Sequence, residues 1–471
     1  MIMWSDLMPM RQHLQRIALT LLVVLVLPAC QSSDSTPVTV TPKPEGTASL
    51  EPAFTAIATS KLGVDQRTLR GVKVEVWHAL FGSSAALFSS QLAEFNTENP
   101  WGIIVHAAQQ GNYTTLFDKV VLALKDFSPP DIIMALPEQV IVFGEAGAVV
   151  DLSPYVLDPV WGMREAELSD FPNAFLAQEK AGDRWLGMPA QRSARFLFYN
   201  QTWARELGFD SQPVTPEEFK EQVCAANQAM RSDTDPNNDG KGGWIVDTDS
   251  KTVLSWMRAF DGGPLQNGNY RFLAPNNIAA FKYLKEMYDE NCSWLSSEVT
   301  PYGQFASRLA LFVTGSLEDL PAQVRAFNQV GNLDKWTVMA FPGNGESSFI
   351  LYGSSYSLLG SSDENQLASW LFIRWMLSPD NQARWVLSTG LFPLRVSSMV
   401  SLANYRIEHH QWSAAVDLIP QGLLQPQLVS WRKVHPIFGD GVSFIFRTDM
   451  TSGSVPAVLA QMDRIASELS Q

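Results

Sequence analysis

The sequence predicts an α/β fold with a largely parallel sheet. Apolar strands and amphipathic helices alternate from residue 72 onwards, as they do in strand-helix-strand units. The chain has 471 residues, of which 46% are hydrophobic, and this is enough for two or more lobes with sizeable cores. The formal net charge of -14 argues against nucleic acid or an anionic membrane surface as a partner, because no basic excess exists to neutralise phosphates. Anionic small ligands remain possible in a locally basic pocket.

The first part of the alternation has the clearest periodicity. Three valines within residues 72–76 alternate with charged residues, which is the period of a half-buried strand. Asn99 and Pro100 end the helix that follows, before a second apolar run. The predicted elements are strands at residues 72–76, 103–105 and 131–134, and helices at residues 84–96 and 116–124.

Further strands and helices follow along the chain. Thr215 and Glu218 form the capping-box pattern that starts a helix. An apolar run at residues 349–359 is interrupted at Gly353, where the backbone has room to approach a ligand closely. The remaining predicted elements are strands at residues 195–200, 309–313 and 336–341, helices that begin at Gln201, Pro216, Gln366 and Ser378, and a helical region after Gly390.

Polar residues follow several strands of the predicted sheet. Ligands of parallel sheets bind beyond the carboxyl ends of the strands. His78, Asn112, Tyr113 and Glu138 occupy such positions, so they are candidate pocket residues. Each also has a structural alternative, since a polar residue after a strand commonly forms a turn or a helix cap.

One loop has the composition of a cation site. Residues 233–240 carry oxygen ligands at alternate positions and a glycine, as a calcium-binding loop does. Counted from the second aspartate, the twelfth position is Val246 instead of the bidentate glutamate. Calcium is therefore a hypothesis beside the alternative of a solvated surface turn, and no other cofactor is predicted. The predicted ligands are Asp233, Asp235, Asn237 and Asp239.

The N-terminus has the order of a secretory signal. Two arginines precede an apolar run at residues 17–27 that is too short to span a bilayer, and small Ala29 stands before Cys30. The quartet that ends at Cys30 (LPAC) resembles the bacterial lipobox, which implies a signal peptide at residues 1–30, lipidation (palmitate) at Cys30 and an exported lipoprotein anchored to the outer face of the membrane. A buried core helix is the alternative. Residues 31–70 are rich in Ser, Thr and Pro and predict a flexible tether.

The chain has three cysteines. Cys30 belongs to the export signal. Cys224 and Cys292 either form one disulfide or are two buried thiols, and the sequence leaves both possibilities open.

Several segments, in order, resemble the family 1 extracellular solute-binding proteins of ABC importers, in particular the glycerol-3-phosphate and oligosaccharide binders. The segments of the first lobe are VEVWHAL, LAEFNTENP, QGNYTTLFDKV and PPDIIMALPE. Those of the crossover strand and the late helices are GMPAQRSARFLFYNQTWARELGFDSQPVTPEEF and LASWLFIRWMLSPDNQARWVLSTGLFP. The resemblance implies a two-lobed periplasmic-binding-protein type II fold with an interlobe ligand cleft and a hinge. It assigns residues 71–187 and 306–352 to the first lobe, and residues 188–305 and 353–471 to the second.

The resemblance also implies which residues contact the ligand. Tyr113 and Trp256 would stack on apolar ring faces, while the other residues would bond hydroxyl groups. Two positions depart from the family pattern, because Leu391 replaces an aromatic residue and no arginine near Arg447 matches the phosphate-binding one. These departures favour a neutral sugar or polyol, since phosphate commonly takes a bidentate guanidinium. The predicted ligand-binding residues are His78, Tyr113, Glu138, Ser193, Trp256, Ser316, Gly353 and Ser354.

The function implied is that of a substrate-binding lipoprotein. It would capture a carbohydrate or polyol, such as a sugar, an oligosaccharide or a glycerol-3-phosphate-like molecule, and deliver it to ABC permease subunits. We expect a monomer that is held at the membrane by its N-terminal lipid. One alternative is an exported carbohydrate-active hydrolase, although the chain holds neither a G-x-S-x-G elbow nor an H-E-x-x-H motif. The other is a sugar-sensing subunit of a receptor kinase.

Overall fold

The computed structural model of the chain describes residues 59–471. The predicted signal peptide at residues 1–30, including Cys30, and residues 31–58 of the predicted tether lie outside this range. None of the helices in residues 59–471 is both long and apolar enough to cross a membrane.

The last part of the predicted tether is attached to the folded body. The Ser60 hydroxyl and the Lys61 amide donate hydrogen bonds to the Asp158 carboxylate, at 3.0 and 2.8 Å. Leu69, in the short 3-10 helix Gln66–Leu69, is completely buried. The tether prediction is therefore wrong for residues 60–69. The buried side chain of Leu69 and the hydrogen bonds to Asp158 hold this segment against the folded body.

The first sheet has five strands, in the order Ile104–Gln109, Lys73–His78, Ile132–Ala135, Ser355–Leu358 and Met188–Pro189. The first three of these strands are parallel, whereas the fourth runs antiparallel to both of its neighbours. The strands predicted at residues 72–76, 103–105 and 131–134 are confirmed. Because the three parallel strands end at one edge, the segments that follow them meet there.

The second sheet has seven strands. Six follow the order Ser293–Trp294, Gly242–Ile245, Ala310–Ser316, Ser193–Asn200, Phe349–Tyr352 and Gly422–Leu423, and Trp336–Met339 also pairs with Ser193–Asn200. The first three of the six are mutually parallel, so they too share a carboxyl edge. The strands predicted at residues 195–200, 309–313 and 336–341 all lie in this sheet.

The two sheets divide the chain differently from the predicted lobes. The strands within residues 306–352 pair in the second sheet, and Ser355–Leu358 pairs in the first. The assignment of residues 306–352 to the first lobe is therefore wrong. The physical reason is the long strand Ser193–Asn200, which pairs with Ala310–Ser316 along one edge and with Phe349–Tyr352 along the other. Such non-local pairing leaves no periodic signal in the sequence.

Two chain segments cross between the sheets side by side. The first runs from Met188–Pro189 in the first sheet to Ser193–Asn200 in the second. The other runs in the opposite direction, from Phe349–Tyr352 to Ser355–Leu358. Gly353, at which the sequence predicted an interruption of the apolar run, lies in this second crossing segment.

Helices surround the two sheets. The hydroxyl of Thr215 caps one of them as predicted, accepting the amide of Glu218 at 3.2 Å. The α-helices are Gly82–Glu98, Tyr113–Lys125, Pro137–Glu145, Ser153–Val156, Glu165–Leu168, Asn173–Ala177, Gln201–Glu206, Pro216–Arg231, Ser250–Ala259, Pro275–Asp289, Tyr302–Ala306, Leu320–Val330, Asp363–Met376, Pro379–Thr389, Ala403–Glu408, His410–Asp417, Trp431–Val434, Pro436–Ile445 and Val455–Leu469.

Cys224 and Cys292 form a disulfide, which resolves the alternative that the sequence left open. The bond joins helix Pro216–Arg231 to the segment just before strand Ser293–Trp294. It therefore fastens an edge strand of the second sheet to the helix that packs on that sheet.

Candidate functional site

A cavity of about 470 Å³ lies where the two sheets meet. We call the lobe built on the first sheet the first lobe, and the lobe built on the second sheet the second lobe. The first lobe contributes residues 79–84 together with Tyr113 and Leu136, and each of these follows one of the three parallel strands. They therefore occupy the edge at which parallel sheets bind ligands. Phe81 in this lining is 82% exposed, so the face of its ring is free to contact a ligand.

Tyr113 begins a helix and faces the cavity, as predicted. Asn112 caps this helix, because its side-chain oxygen accepts a hydrogen bond from the amide of Thr115 at 2.9 Å. Asn112 is therefore a helix cap, which was the structural alternative to a role in the pocket. Burial raises the pKa of the Tyr113 phenol, an interaction with the Ser354 hydroxyl lowers it in part, and the carboxylates of Glu318 and Glu138 raise it further. The phenol therefore stays protonated at neutral pH and can donate a hydrogen bond to a ligand.

On the second lobe, Glu318 presents a carboxylate to the cavity. The hydroxyls of Ser193 and Tyr352 both donate to its Oε2 atom, at 2.6 and 3.2 Å, and no other described residue donates to Oε1. The hydroxyl and amide of Ser316 donate to Asp319, at 2.6 and 2.7 Å, and thereby start the 3-10 helix that carries Glu318. Ser316 thus positions Glu318 and does not itself line the cavity, contrary to its predicted contact with the ligand.

Gly353 lines the cavity where the chain crosses between the sheets. Its φ is +151°, and a Cβ atom there would lie 2.0 Å from the carbonyl oxygen of Gln191, so only glycine fits. Ser354 is completely buried, and its carbonyl accepts two amides of the neighbouring crossing. Arg192 also lines the cavity, but the carboxylate of Glu179 engages its guanidinium, so Arg192 is not a free cation.

Glu138 is buried between the lobes. It is 8% exposed, and among the described residues no other side chain donates a hydrogen bond to its carboxylate. Burial raises its pKa, while a hydrogen bond from its own backbone amide and electrostatic interactions with His435, Lys251 and Arg432 of the second lobe lower it. The guanidinium of Arg432 lies 3.7 Å from the ring centroid of Phe117 and makes no ion pair within residues 59–471. The interlobe space therefore contains a buried carboxylate beside cationic groups of the opposite lobe.

Two predicted ligand contacts are structural residues. His78 is 5% exposed, and its Nδ1 atom accepts the amide of Leu80 at 3.1 Å, so it shapes the turn that lines the cavity without lining it. Trp256 is 1% exposed in the core of the second lobe, where its ring packs against Phe219 at a centroid distance of 5.0 Å. The prediction that Trp256 stacks on the ligand is wrong, because helix Ser250–Ala259 directs this side chain into the core.

The predicted calcium loop forms turns of its own. Asp233 accepts the amide of Asp235 at 2.7 Å, and Asp235 accepts the amide of Asn237 at 3.0 Å. These carboxylates and that of Asp239 do not converge into a group of three in the described part of the chain. The one group that does converge there contains the disulfide-bonded cysteines, which are not free to bind a metal. The loop therefore corresponds to the surface turn that was the alternative.

Comparison with known proteins places this architecture in a family. Residues 90–402, well over half of the chain, match the bacterial extracellular solute-binding proteins. The chain belongs to this family. The family relationship that the sequence motifs indicated is thereby confirmed, and a solute-binding protein of this extracellular family works outside the cytoplasm.

Solved structures of other solute-binding proteins share the fold. The sugar-binding protein MalE of Xanthomonas citri is 20% identical, with a TM-score of 0.73 over 84% of this chain and 97% of that one. The cyclic alpha-maltosyl-1,6-maltose binding protein of Arthrobacter globiformis is 18% identical, with a TM-score of 0.70 over 84% and 98%. UgpB of Mycobacterium tuberculosis, in complex with glycerophosphocholine, is 18% identical, with a TM-score of 0.68 over 84% and 98%. Identities this low show the fold alone, and the predicted two-lobed fold is confirmed.

The site of this solute-binding protein includes residues that the sequence motifs did not single out. Phe81 and Glu318 follow strands of the two sheets, so the position after a strand was the signal that could have identified them. Tyr352 immediately precedes the predicted Gly353. Lys251 and Arg432 lie outside the cavity lining, near the buried Glu138, and they gave no such signal because only the packing of the second lobe brings them there.

Proposed function

We propose that this solute-binding protein captures a carbohydrate or polyol in the interlobe cavity and delivers it to the membrane subunits of an ABC permease. The observation that carries the proposal is the lining of the cavity. Around about 470 Å³ it combines the free aromatic face of Phe81, the phenol of Tyr113 and the acceptor carboxylate of Glu318. Sugars and polyols present apolar CH faces and many hydroxyl groups, so this combination matches their chemistry.

The charges that line the cavity favour a neutral ligand. The Glu318 carboxylate accepts two hydroxyl donors and would repel a phosphate placed against it. The Arg192 guanidinium is already neutralised by Glu179. A ligand hydroxyl that donates to Glu318 Oε1 gains a charge-assisted hydrogen bond without requiring a new cation.

A phosphate-bearing polyol is the second candidate. The charge of Arg432 near Glu138 favours it, since Arg432 makes no ion pair among the described residues, whereas Lys251 is paired with Asp249 at 3.4 Å. Both residues lie outside the lining of the cavity, so a phosphate group would have to extend beyond that lining to reach them. Arg447, near which the sequence offered no phosphate-binding match, pairs with Asp449 at the surface. The complex of the related UgpB with glycerophosphocholine supports testing this ligand class beside the sugars.

Calorimetry against glucose, maltose, maltotriose, glycerol 3-phosphate and glycerophosphocholine tests the proposal. We expect binding to at least one of these compounds, and Phe81→Ala to weaken it roughly fivefold, because an aromatic face in such a site contributes about 1 kcal/mol. Phe127→Ala is the matched control, since Phe127 is 94% exposed on the same lobe and lies outside the cavity lining. Folded protein that binds none of these compounds would contradict the proposal.

A second pair of variants separates the two ligand classes. Arg432→Met should leave the affinity for a neutral sugar within about threefold, but should reduce the affinity for a phosphate-bearing ligand by tenfold or more, because a hydrogen bond to a charged group is worth roughly 1.5–3 kcal/mol. Lys433→Met is the control, because Lys433 is the exposed neighbour of Arg432. A phosphate ligand that is insensitive to Arg432→Met would remove this residue from the site.

We also propose that the protein is exported as a monomeric lipoprotein, with cleavage just before Cys30 and with the acylated Cys30 as the mature N-terminus. The LPAC quartet and the apolar run before it support this proposal. A receptor held on the membrane that carries its permease gains effective concentration. Cys30→Ala should release the protein from the membrane fraction, and a variant that remains membrane-bound would contradict the anchor.

The proposed function involves no chemical turnover of the ligand. The family and its solved relatives are binding proteins, which supports this reading. Chromatography of a bound oligosaccharide after incubation with pure protein should show no product. Product that disappears in Glu138→Gln would identify the hydrolase alternative instead.

A further inference from the structure

Arg192 and Glu179 form an ion pair that is shielded from solvent. Their side chains are 0% and 2% exposed. Taking two charges out of water costs several kcal/mol for each ion, and an apolar pair of the same volume is often at least as stable. The stability of the fold alone therefore does not account for charges at this position.

The guanidinium of Arg192 binds both chains that cross between the sheets. Its Nη1 atom donates to the carbonyls of Gln191 and Ser354, at 2.7 and 2.8 Å. The amides of Ala190 and Gln191 donate to the same Ser354 carbonyl, at 2.9 and 3.1 Å. The carbonyl of Arg192 accepts the amide of Phe392 at 3.0 Å, in the segment that leads from the last helix on the first lobe to the helices of the second. One side chain and its own backbone thus connect all three of these segments.

Glu179 fixes this arrangement to the first lobe. The hydroxyl of Ser355, in the first sheet, donates to its Oε1 atom at 2.8 Å, and the amide of Leu186 donates to its carbonyl at 2.8 Å. Gly187 packs so closely that a Cβ atom there would lie 2.8 Å from Glu179 Oε2. First-lobe residues thus contact both oxygens of the carboxylate beside the ion pair.

The second-lobe side of the same crossings is built differently. Ser193 begins the central strand of the second sheet directly after Arg192. Gly353, with φ at +151°, separates the second-sheet strand that ends at Tyr352 from the clamped Ser354. Glycine tolerates changes of φ and ψ that other residues do not, so this position can absorb a rotation of the second lobe.

We infer that Arg192 and Glu179 are positioning residues that hold the crossing segments rigidly to the first lobe, so that the lobes rotate at Ser193 and Gly353. Both of these residues line the cavity, so the ligand contacts the joint at which rotation takes place. This inference rests on the proposed function in one respect, namely that a ligand fills the cavity. The rigidity of the clamp itself can be measured without any ligand.

The test compares amide hydrogen exchange of residues 190–192 with thermal stability and ligand affinity. Glu179→Gln leaves the Arg192 charge buried without its partner and should lower the melting temperature. The double variant Glu179→Leu with Arg192→Met replaces the ions by an apolar pair and should recover that temperature. In the double variant we nevertheless expect exchange at Ala190 and Gln191 to be at least tenfold faster than in the wild type, and the affinity for the ligand found by calorimetry to fall about tenfold.

The matched control is Arg308→Met. Arg308 pairs with Asp334 at 2.6 Å inside the second lobe, away from the crossings, so its loss should lower stability without changing exchange at residues 190–192. A double variant with recovered stability, and with exchange and affinity within twofold of the wild type, would overturn the inference. Should the double variant fail to fold, Ser355→Ala removes one hydrogen bond to Glu179, and unchanged exchange at Gln191 in that variant would overturn it equally. Failure of the wild type to bind any compound would contradict the proposed function alone, because the exchange measurement remains valid.

Discussion

Glu318→Gln is the variant that most directly tests the chemistry of the cavity. The hydroxyls of Ser193 and Tyr352 donate to one oxygen of this carboxylate, and an amide oxygen can accept the same two bonds, so the shape of the site is preserved. What changes is the second oxygen, which becomes an amide nitrogen that cannot accept from a ligand hydroxyl. A hydrogen bond to a charged group contributes roughly 1.5–3 kcal/mol, against about 0.5–1.5 kcal/mol for a neutral one. The difference of about 1 kcal/mol or more predicts a fivefold to tenfold rise in Kd.

Calorimetry on the ligand identified from the panel measures this change. Glu318 is exposed, so the melting temperature of the variant should stay at that of the wild type. Glu408→Gln, at an exposed position of the second lobe outside the cavity lining, controls for the loss of one negative charge. A Kd for Glu318→Gln within twofold of the wild type, with Phe81→Ala still weakening binding, would show that the ligand does not reach the Glu318 carboxylate.

Other variants test the disulfide, the core and the buried carboxylate. Replacing Cys224 and Cys292 together by serine removes a cross-link between residues 68 apart in the sequence. The free energy of unfolding, measured by urea denaturation, should fall by about 4 kcal/mol, because the unfolded chain gains loop entropy. A loss below about 1 kcal/mol would contradict this account. Trp256→Ala should lower the free energy of unfolding by roughly 3–5 kcal/mol and leave the ligand Kd of the folded protein unchanged. A higher Kd with unchanged stability would show that Trp256 contacts the ligand. Burial raises the pKa of Glu138 above 4.5, so the stability that this group contributes is fully present below about pH 4.5 and is lost as the pH rises through the folded-state pKa. Glu138→Gln should therefore flatten the pH dependence of thermal unfolding above about pH 4.5, and an unaltered profile would contradict the shift.

The fold was predictable to the extent that its signals are local. The alternating valines at residues 72–76 and the amphipathic helices around them specify strand-helix-strand units, and the structure contains them. The sheet that each later strand joins was not predictable in this way. Strand Ala310–Ser316 pairs with Ser193–Asn200 over a long stretch of sequence, and its hydrophobic pattern is equally compatible with either sheet.

The site was predictable where a residue follows a strand and not where tertiary packing brings it in. Tyr113 and Gly353 line the cavity because strand ends and a sheet crossing place them there. The prediction for Trp256 was wrong because a tryptophan side chain suits a hydrophobic core as well as the face of a sugar. Only its spatial neighbours, such as Phe219, show that it belongs to the core. Arg432 lies on the ring of Phe117 only when the second lobe is folded against the first. No pattern within either segment carries that information.

The burial of Glu138 connects the chemistry of the ligand with the movement of the lobes. Its carboxylate lies on the first lobe, whereas the cationic groups that oppose its desolvation lie on the second. Separation of the lobes would return the carboxylate to water, which favours its charged form, so burial of this group opposes closure in the absence of a ligand. Glu138 lies outside the cavity lining, but any ligand group that reached and bonded its carboxylate would offset that cost only when the lobes are together. Such a difference in affinity between two states is what a conformational change requires. Among the described residues no other side chain donates to this carboxylate, so a ligand hydroxyl that bonded it would make closure depend on the ligand.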